Sequence, residues 1–327
     1  MRFRDATLSD VPGITATFTG FNALPLEPRV RAALPGLLQQ LIASPACALT
    51  VFEDNWGTGQ AIVSVAGGLL LADAVVDRYL AAPHPGFLSS VLASLREGQR
   101  PLLTQEEIRR ANSNDGLVLA VLPLPSGPVG FDDPRHAELR KAAPQAGVRC
   151  YGGYRMRAIY YEVFADPVAD YLQTGGYRLL HDFSAHEGTG IFGPGCRPRM
   201  FRLTRADLPP GAMSMATQMF DPLPVRLGLT PSEQRVALRA LDGASDQAIA
   251  ESLGLSSETV RSCWRSVYHR LAPEIPQFDS GGRDGSGLTR GVEKRRIAID
   301  YLRQNLHELR PYEIQRTGSA TRPARRN

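Results

Sequence analysis

Lysine is almost missing: Lys141 and Lys294 are two of 37 basic residues, so nearly every cation in the chain is a guanidinium. The skew by itself assigns no function. Cysteine is scarce as well. Cys47, Cys150, Cys196 and Cys263 lie far apart with no CxxC pair, which excludes a zinc ribbon and a disulfide framework and points to a reduced, cytoplasmic protein. Long apolar runs are lacking too: the most hydrophobic stretch, Ala61 to Ala72, is broken by Ser64 and Gly67-Gly68 and closes at Asp73, well short of the roughly 20 residues of a membrane helix. No membrane span is expected, and the charges of Met1-Arg2-Phe3-Arg4-Asp5 have no apolar run behind them to make a secretory signal. His181 and His186 are five apart without a third ligand nearby, Cys196 stands alone beside Arg197, and no Ser-His-Asp or paired-carboxylate set can be assembled. Metal ligands, catalytic residues and cofactors are therefore expected to be none, and the chain is expected not to be an enzyme.

With 43% hydrophobic residues in 327, there is enough apolar side chain for two cores of ordinary size, which rules out a miniprotein, a collagen or a disordered acidic tail. Charge is distributed unevenly. From Val225 to Asn327 there are 17 Lys/Arg against 12 Asp/Glu, a net of +5, which leaves about −1 of the total +4 for the preceding 224 residues. A surface for a polyanion is sought in the C-terminal third.

The first 190 residues interleave strand and helix patterns. Ala48 to Phe52 and Ala61 to Ala66 bracket the turn-forming cluster Asp54-Asn55-Trp56-Gly57-Thr58-Gly59, a hairpin signal. Helices are expected at 74–81, 86–96, 135–143 and 166–174, and strands at 116–122, 154–164 and 177–183. The tyrosines Tyr151, Tyr154, Tyr160 and Tyr161 read as core and rim of a strand. Between Phe183 and Pro224 the pattern fades into Gly and Pro, with Gly193-Pro194-Gly195 and Leu208-Pro209-Pro210-Gly211 as breakers. The fold class is α+β: a mixed α/β sensor or ligand-binding domain over 1–190, a linker over 191–224, an all-α domain over 225–310 and a basic tail over 311–327.

Within the all-α part, Thr230-Pro231-Ser232-Glu233 is a capping box with Pro at the first helical position, and Asp242-Gly243 ends that helix. Ser245 caps a second helix, Asp246 to Leu253, with Ala248, Ile249 and Leu253 turned inward, and Gly254 stops it. Ser256 caps a third, running through Leu271, whose Val260, Trp264, Val267 and Leu271 recur at four, three and four residues. Two short helices joined by a Gly-containing turn fit a helix-turn-helix, although plain helical bundles contain such hairpins too. Arg261 and Arg265 lie four apart, away from the apolar stripe, and offer the bidentate fork that suits guanine. Farther on, Gly291 to Leu309 reads as one long helix with Ile299, Leu302, Leu306 and Leu309 in a stripe. That spacing serves equally a seam between two subunits or packing on the domain's own helices.

Leu229-Thr230-Pro231-Ser232-Glu233, Val236, Leu238, Leu241, Gly243, Ser245, Ile249-Ala250, Leu253, Leu255-Ser256, Thr259-Val260 and Leu271 together resemble the LuxR-type (GerE) DNA-binding domain of bacterial transcription regulators. The resemblance implies that the helix from Ser256 to Leu271 enters the major groove, with Arg261, Ser262 and Arg265 facing base edges and Thr259, Ser257 and Ser245 contacting phosphates. It also implies a homodimer, since the fourth helix of that family commonly mediates one. Cys263 stands where His is common, and Glu258 is acidic where a basic residue is frequent.

Arg2-Phe3-Arg4-Asp5-Ala6-Thr7-Leu8-Ser9-Asp10-Val11-Pro12-Gly13-Ile14, the hairpin ending near Ala66, the strand from Gly116 to Leu122, and Ala165 to Phe183 are similar to the strand and helix order of GNAT acetyltransferases. That family cradles the cofactor diphosphate on backbone amides at a helix start. Here the corresponding Pro123-Leu124-Pro125-Ser126-Gly127-Pro128-Val129-Gly130 includes Pro128, which has no amide to donate, so a degenerate GNAT-like sensor without cofactor is expected. A phosphoacceptor receiver is excluded because no acidic pair follows the first strand. The function expected from sequence is a sequence-specific, DNA-binding transcriptional regulator whose partners are double-stranded DNA and a small-molecule or protein effector. The alternative is a GNAT-like acyltransferase with an appended DNA-binding domain.

Overall fold

A computed structural model describes residues 2–20, 24–53, 62–123, 134–210, 215–275 and 290–313. The chain divides into two compact units, Met1–Pro224 and Val225–Asn327.

The first unit begins with β1 (Arg2–Asp5), α1 (Val11–Thr19) and α2 (Pro28–Ala43), followed by β2 (Cys47–Glu53), β3 (Ile62–Leu71), α3 (Asp73–Ala81), α4 (Phe87–Arg96) and α5 (Gln105–Ser113). It continues through β4 (Leu117–Leu122), α6 (Pro134–Tyr151), β5 (Met156–Val163), α7 (Asp166–Thr174), β6 (Arg178–Asp182), β7 (Arg199–Thr204) and α8 (Met215–Phe220). The strands form one seven-stranded sheet in the order β1-β2-β3-β4-β5-β7-β6. Every neighbouring pair is antiparallel except β4 and β5. Helices cover both faces, so the central strands are apolar on both sides instead of alternating. Ala158 and Tyr160 of β5 join the core formed with Leu34, Leu38 and Val91, whereas Ile159 joins Tyr151, Leu117 and Leu203 on the opposite face.

The Gly67-Gly68 pair, read from sequence as an interruption of an apolar run, is where β3 passes closest to its neighbours. A Cβ on Gly67 would lie 2.2 Å from the Ala48 carbonyl oxygen and 2.9 Å from Leu49 Cδ2. The backbone oxygen cannot swing aside, so Gly67→Ala is expected to cost about 3 kcal/mol or more, read as a lower urea midpoint.

The segment 191–224, expected to be a linker, instead carries β7, which pairs with β5 on one side and β6 on the other. Met200, Phe201 and Leu203 are fully buried there. The Gly/Pro stretches flanking this six-residue strand conceal it in the sequence. Expected over 135–143, α6 in fact continues through Pro144 to Tyr151, its Ala142 and Ala146 packing with Phe52 and Val63. The hairpin turn at 54–59 and the proposed diphosphate turn at 124–130 lie outside the described residues.

The second unit contains α9 (Pro231–Leu241), α10 (Asp246–Leu253), α11 (Ser257–Leu271) and α12 (Arg290–Gln304). Its caps are formed by the residues that the sequence marks. Glu233 N–H donates to Thr230 Oγ1 at 3.4 Å while Thr230 N–H donates to Glu233 Oε2 at 2.7 Å, and Ser245 and Ser256 accept from the amides of Ala248 and Thr259. Gly254 closes α10 with φ of 63°, a conformation open to glycine at little cost. Ala248, expected to face inward, is exposed, and Ile249 and Ala250 carry the contact instead.

The stripe on α12 belongs to this unit's own core. Leu302 and Leu309 are fully buried, and Ile299 and Leu306 pack half-buried against the same cluster. The helix stops at Gln304, and Leu306–Leu309 forms a separate 3₁₀ turn that carries Leu309 back onto the core. Glu308 fixes this turn: its carboxylate accepts from the amides of Arg226 at 2.8 Å and Leu227 at 3.0 Å, while Gln234 Nε2 donates to the Arg310 carbonyl at 2.8 Å. A dimer seam at Ile299, Leu302, Leu306 and Leu309 is therefore not available. Of the basic tail, only residues 311–313 are described. Among the described residues no helix is long and apolar enough to cross a membrane.

Candidate functional site

In the first unit the chemistry gathers where the parallel ladder ends. The last β4/β5 pair is Val121 with Tyr161, yet β5 continues to pair with β7 as far as Val163. Glu162 is the first β5 residue beyond the parallel ladder. The C-terminal ends of parallel strands are a general location for ligand sites, because the strands part there and their next residues face open space.

Glu162 is 3% exposed. Gly86, the N-cap of α4, donates its amide to Glu162 Oε1 at 2.6 Å, so one oxygen closes the helix start that glycine cannot cap with a side chain. The other oxygen, Oε2, meets no hydrogen-bond partner among the described residues. Burial pushes the carboxyl up to about 7, against the pull of the α4 amides, which favour the ionised form. A carboxyl poised near neutrality can take up or release a proton at physiological pH.

Tyr79 lies close enough to feel the Glu162 charge. The Tyr79 hydroxyl is buried without a hydrogen bond among the described residues, and desolvation, reinforced by the Glu162 charge, raises its pKa well above the ordinary phenol value. Its ring packs 4.5 Å from Phe87 and 6.1 Å from His181, centroid to centroid. Opposite Tyr160, Arg202 leaves its Nε without a hydrogen-bond partner among the described residues, while its guanidinium interacts with the Tyr160 hydroxyl and partly offsets the upward push of burial there. Cys196 is close enough to feel Glu162, but burial first and that charge second push its thiol up to about 11, so it is protonated and unreactive at neutral pH. No group of three metal-ligating side chains occurs among the described residues. Sequence reasoning placed Glu162 inside a strand and passed over it. The legible signal was a lone acid in the otherwise apolar or aromatic run from Ala158 to Phe164.

In the second unit, α10 and α11 are joined by Gly254-Leu255-Ser256, and Val260, Trp264, Val267 and Leu271 are buried as their spacing implies. The opposite face brings together Arg261, Ser262 and Arg265, all exposed, with Thr259 exposed one turn earlier and Ser257 half-buried. Glu258 stands between the arginines, 3.2 Å from Arg261 Nε and 2.7 Å from Arg265 Nη2. Ser245 and Thr259 both take part in caps: Ser245 accepts an amide proton, which leaves its own hydroxyl hydrogen free, and Thr259 shares a 2.8 Å contact with Ser256 Oγ. Ser257 donates weakly to Gln247 Oε1 at 3.3 Å. Arg295 of α12 braces the pair of helices. Its guanidinium lies 5.1 Å from the centre of the Trp264 ring and donates to Asp246 Oδ1 and the Ala244 carbonyl.

No protein-family model matches the sequence, and no curated protein does. By fold, the first unit is similar to solved acetyltransferases. NAA60 of Arabidopsis thaliana in complex with acetyl-CoA gives a TM-score of 0.39 at 11% identity, covering 62% of this chain and 97% of that one. Spermidine N-acetyltransferase SpeG of Vibrio cholerae gives 0.37 at 11% identity, covering 63% and 94%. A putative GNAT-family acetyltransferase of Desulfovibrio desulfuricans gives 0.33 at 13% identity, covering 62% and 98%. Likeness at these identities concerns the arrangement of strands and helices, and activity and substrate do not travel with it. Against the expectation that the chain is not an enzyme stand these three solved structures, which are acetyltransferases, and the first unit has the expected mixed sheet with helices.

Proposed function

We propose that the first unit is an acyltransferase of GNAT-like fold and that the second unit carries it to DNA. The observation that supports the first half is Glu162, a buried carboxyl held near neutrality with one free oxygen at the end of the parallel ladder. In this reading an amine attacks the carbonyl of an acyl thioester, the new N–C bond forms, the C–S bond breaks, and the thiolate leaves. Glu162 accepts the proton that the amine must lose. Because it acts in the ionised form, the rate rises with pH through about 7 and then levels. Residues that would hold the donor's diphosphate fall within 124–130, so no step is assigned to them. Acetylation of a panel of primary amines, followed by release of free thiol, tests the proposal.

The second half rests on the exposed Arg261, Ser262 and Arg265 of α11 and on the LuxR-type resemblance. Base edges would be read by those three residues, and phosphates contacted by Thr259, Ser257 and Ser245. Arg261→Ala or Arg265→Ala is expected to cost about 1 to 3 kcal/mol on a cognate duplex and less on random DNA, measured by fluorescence anisotropy at fixed salt. Equal losses on both duplexes would assign the arginines to the backbone. A two-fold dimer on paired half-sites remains part of this proposal, through a surface other than the α12 stripe.

A further inference from the structure

Building on the DNA-reading proposal for α11, we propose that Glu258 is the specificity-determining residue of that face and that Glu258, Arg261 and Arg265 together read a G·C-containing step. The three side chains are 66%, 63% and 68% exposed, and the one carboxylate spans both guanidiniums. Among the residues of α11, Glu258 is the sole acid. It sits in the first turn, where the free amides and the helix dipole would otherwise welcome a phosphate. A carboxylate there repels the DNA backbone and occupies the forks that would grip it, so binding without base contacts is weakened.

Exposed ion pairs of this kind are individually weak, so the arginines can leave Glu258 once something better is offered. Guanine offers it, through O6 and N7 to an Arg fork, and the cytosine N4 amino group gives the released carboxylate a donor. A G·C-containing site therefore satisfies all three charges. On other sequences nothing draws the arginines away from Glu258, and the closed ion pairs leave neither fork free to grip a base or a phosphate.

The test uses the full chain and its Glu258→Gln variant, first in selection from a randomised double-stranded DNA library and then in titration of a random-sequence duplex at several salt concentrations. Wild type is expected to select a half-site with guanine and a fixed cytosine. In the variant the cytosine preference should relax by about tenfold, while affinity for random duplex rises and its log–log salt slope steepens by about one. Selection and salt slope identical in the two proteins overturn the role of Glu258 but leave DNA binding standing. Failure of the wild-type chain to bind any duplex overturns both readings. Because Glu258 is exposed, unchanged circular dichroism is expected for the variant, and Glu258→Asp, which keeps the charge on a shorter stem, should retain the shallow salt slope.

Discussion

Glu162→Gln is expected to slow acyl transfer by about 10² to 10⁴-fold while making the first unit more stable in base. The two effects have one cause. Glutamine preserves shape and can still accept the Gly86 amide, but it cannot take a proton. In the folded protein the carboxyl titrates near 7, against 4.5 for the free group. The unfolded chain therefore gives up this proton first, and the folded state keeps it between those values. Stability is fully present below about 4.5, falls by roughly 1.4 kcal/mol per pH unit as pH rises, and levels off above about 7, a loss of about 3 kcal/mol. The variant lacks that slope. Urea midpoints of both proteins at pH 5 and pH 8 check it: converging curves at low pH and a gap in favour of the variant at high pH are expected, and parallel curves would place the carboxyl outside the low-dielectric site.

Leu302→Asp is expected to unfold the second unit. Leu302 has no exposed surface and lies among Val236, Ile249, Val267 and Leu309, so the substitution removes a packed side chain and adds a buried charge without a partner. Truncating such a leucine costs about 2 to 5 kcal/mol, and the charge adds several more, comparable to the whole stability of a small domain. Trp264, 3% exposed, reports the event: with Trp56 replaced by Phe, its emission should shift to the red and DNA binding should vanish, while turnover by the first unit persists. A folded monomer from a dimeric parent would instead restore the α12 stripe as an interface.

The second unit was legible because its signals are local. Thr230, Ser245 and Ser256 cap helices within three residues of themselves, and Gly254 closes α10 by its own backbone freedom. The destination of the α12 stripe was not legible, since a seam and a core share the same spacing and only the turn at Leu306–Leu309 decides between them. In the first unit the β2/β3 hairpin could be read from two apolar runs around a turn cluster. β7 could not, because its six residues do not alternate, Met200 and Phe201 being buried side by side, and they stand between Gly/Pro breakers; α2 contains Pro35 within its span. Glu162 shows a different limit. Its position in a strand was readable, but its burial against α4 and its free oxygen depend on Gly86, 76 residues away in the chain.

Free-thiol release from acetyl-CoA, followed for the wild-type and Glu162→Gln chains with and without a panel of primary amines between pH 5 and pH 9, bears most directly on the acyltransferase reading. Wild type should release thiol only when amine is present, with a rate that climbs through about 7, and the variant should be slower by about 10² or more above pH 7, the gap narrowing toward pH 5 as the wild-type carboxyl takes up its proton. No amine-dependent release at any pH, or equal rates from the two chains, would contradict it.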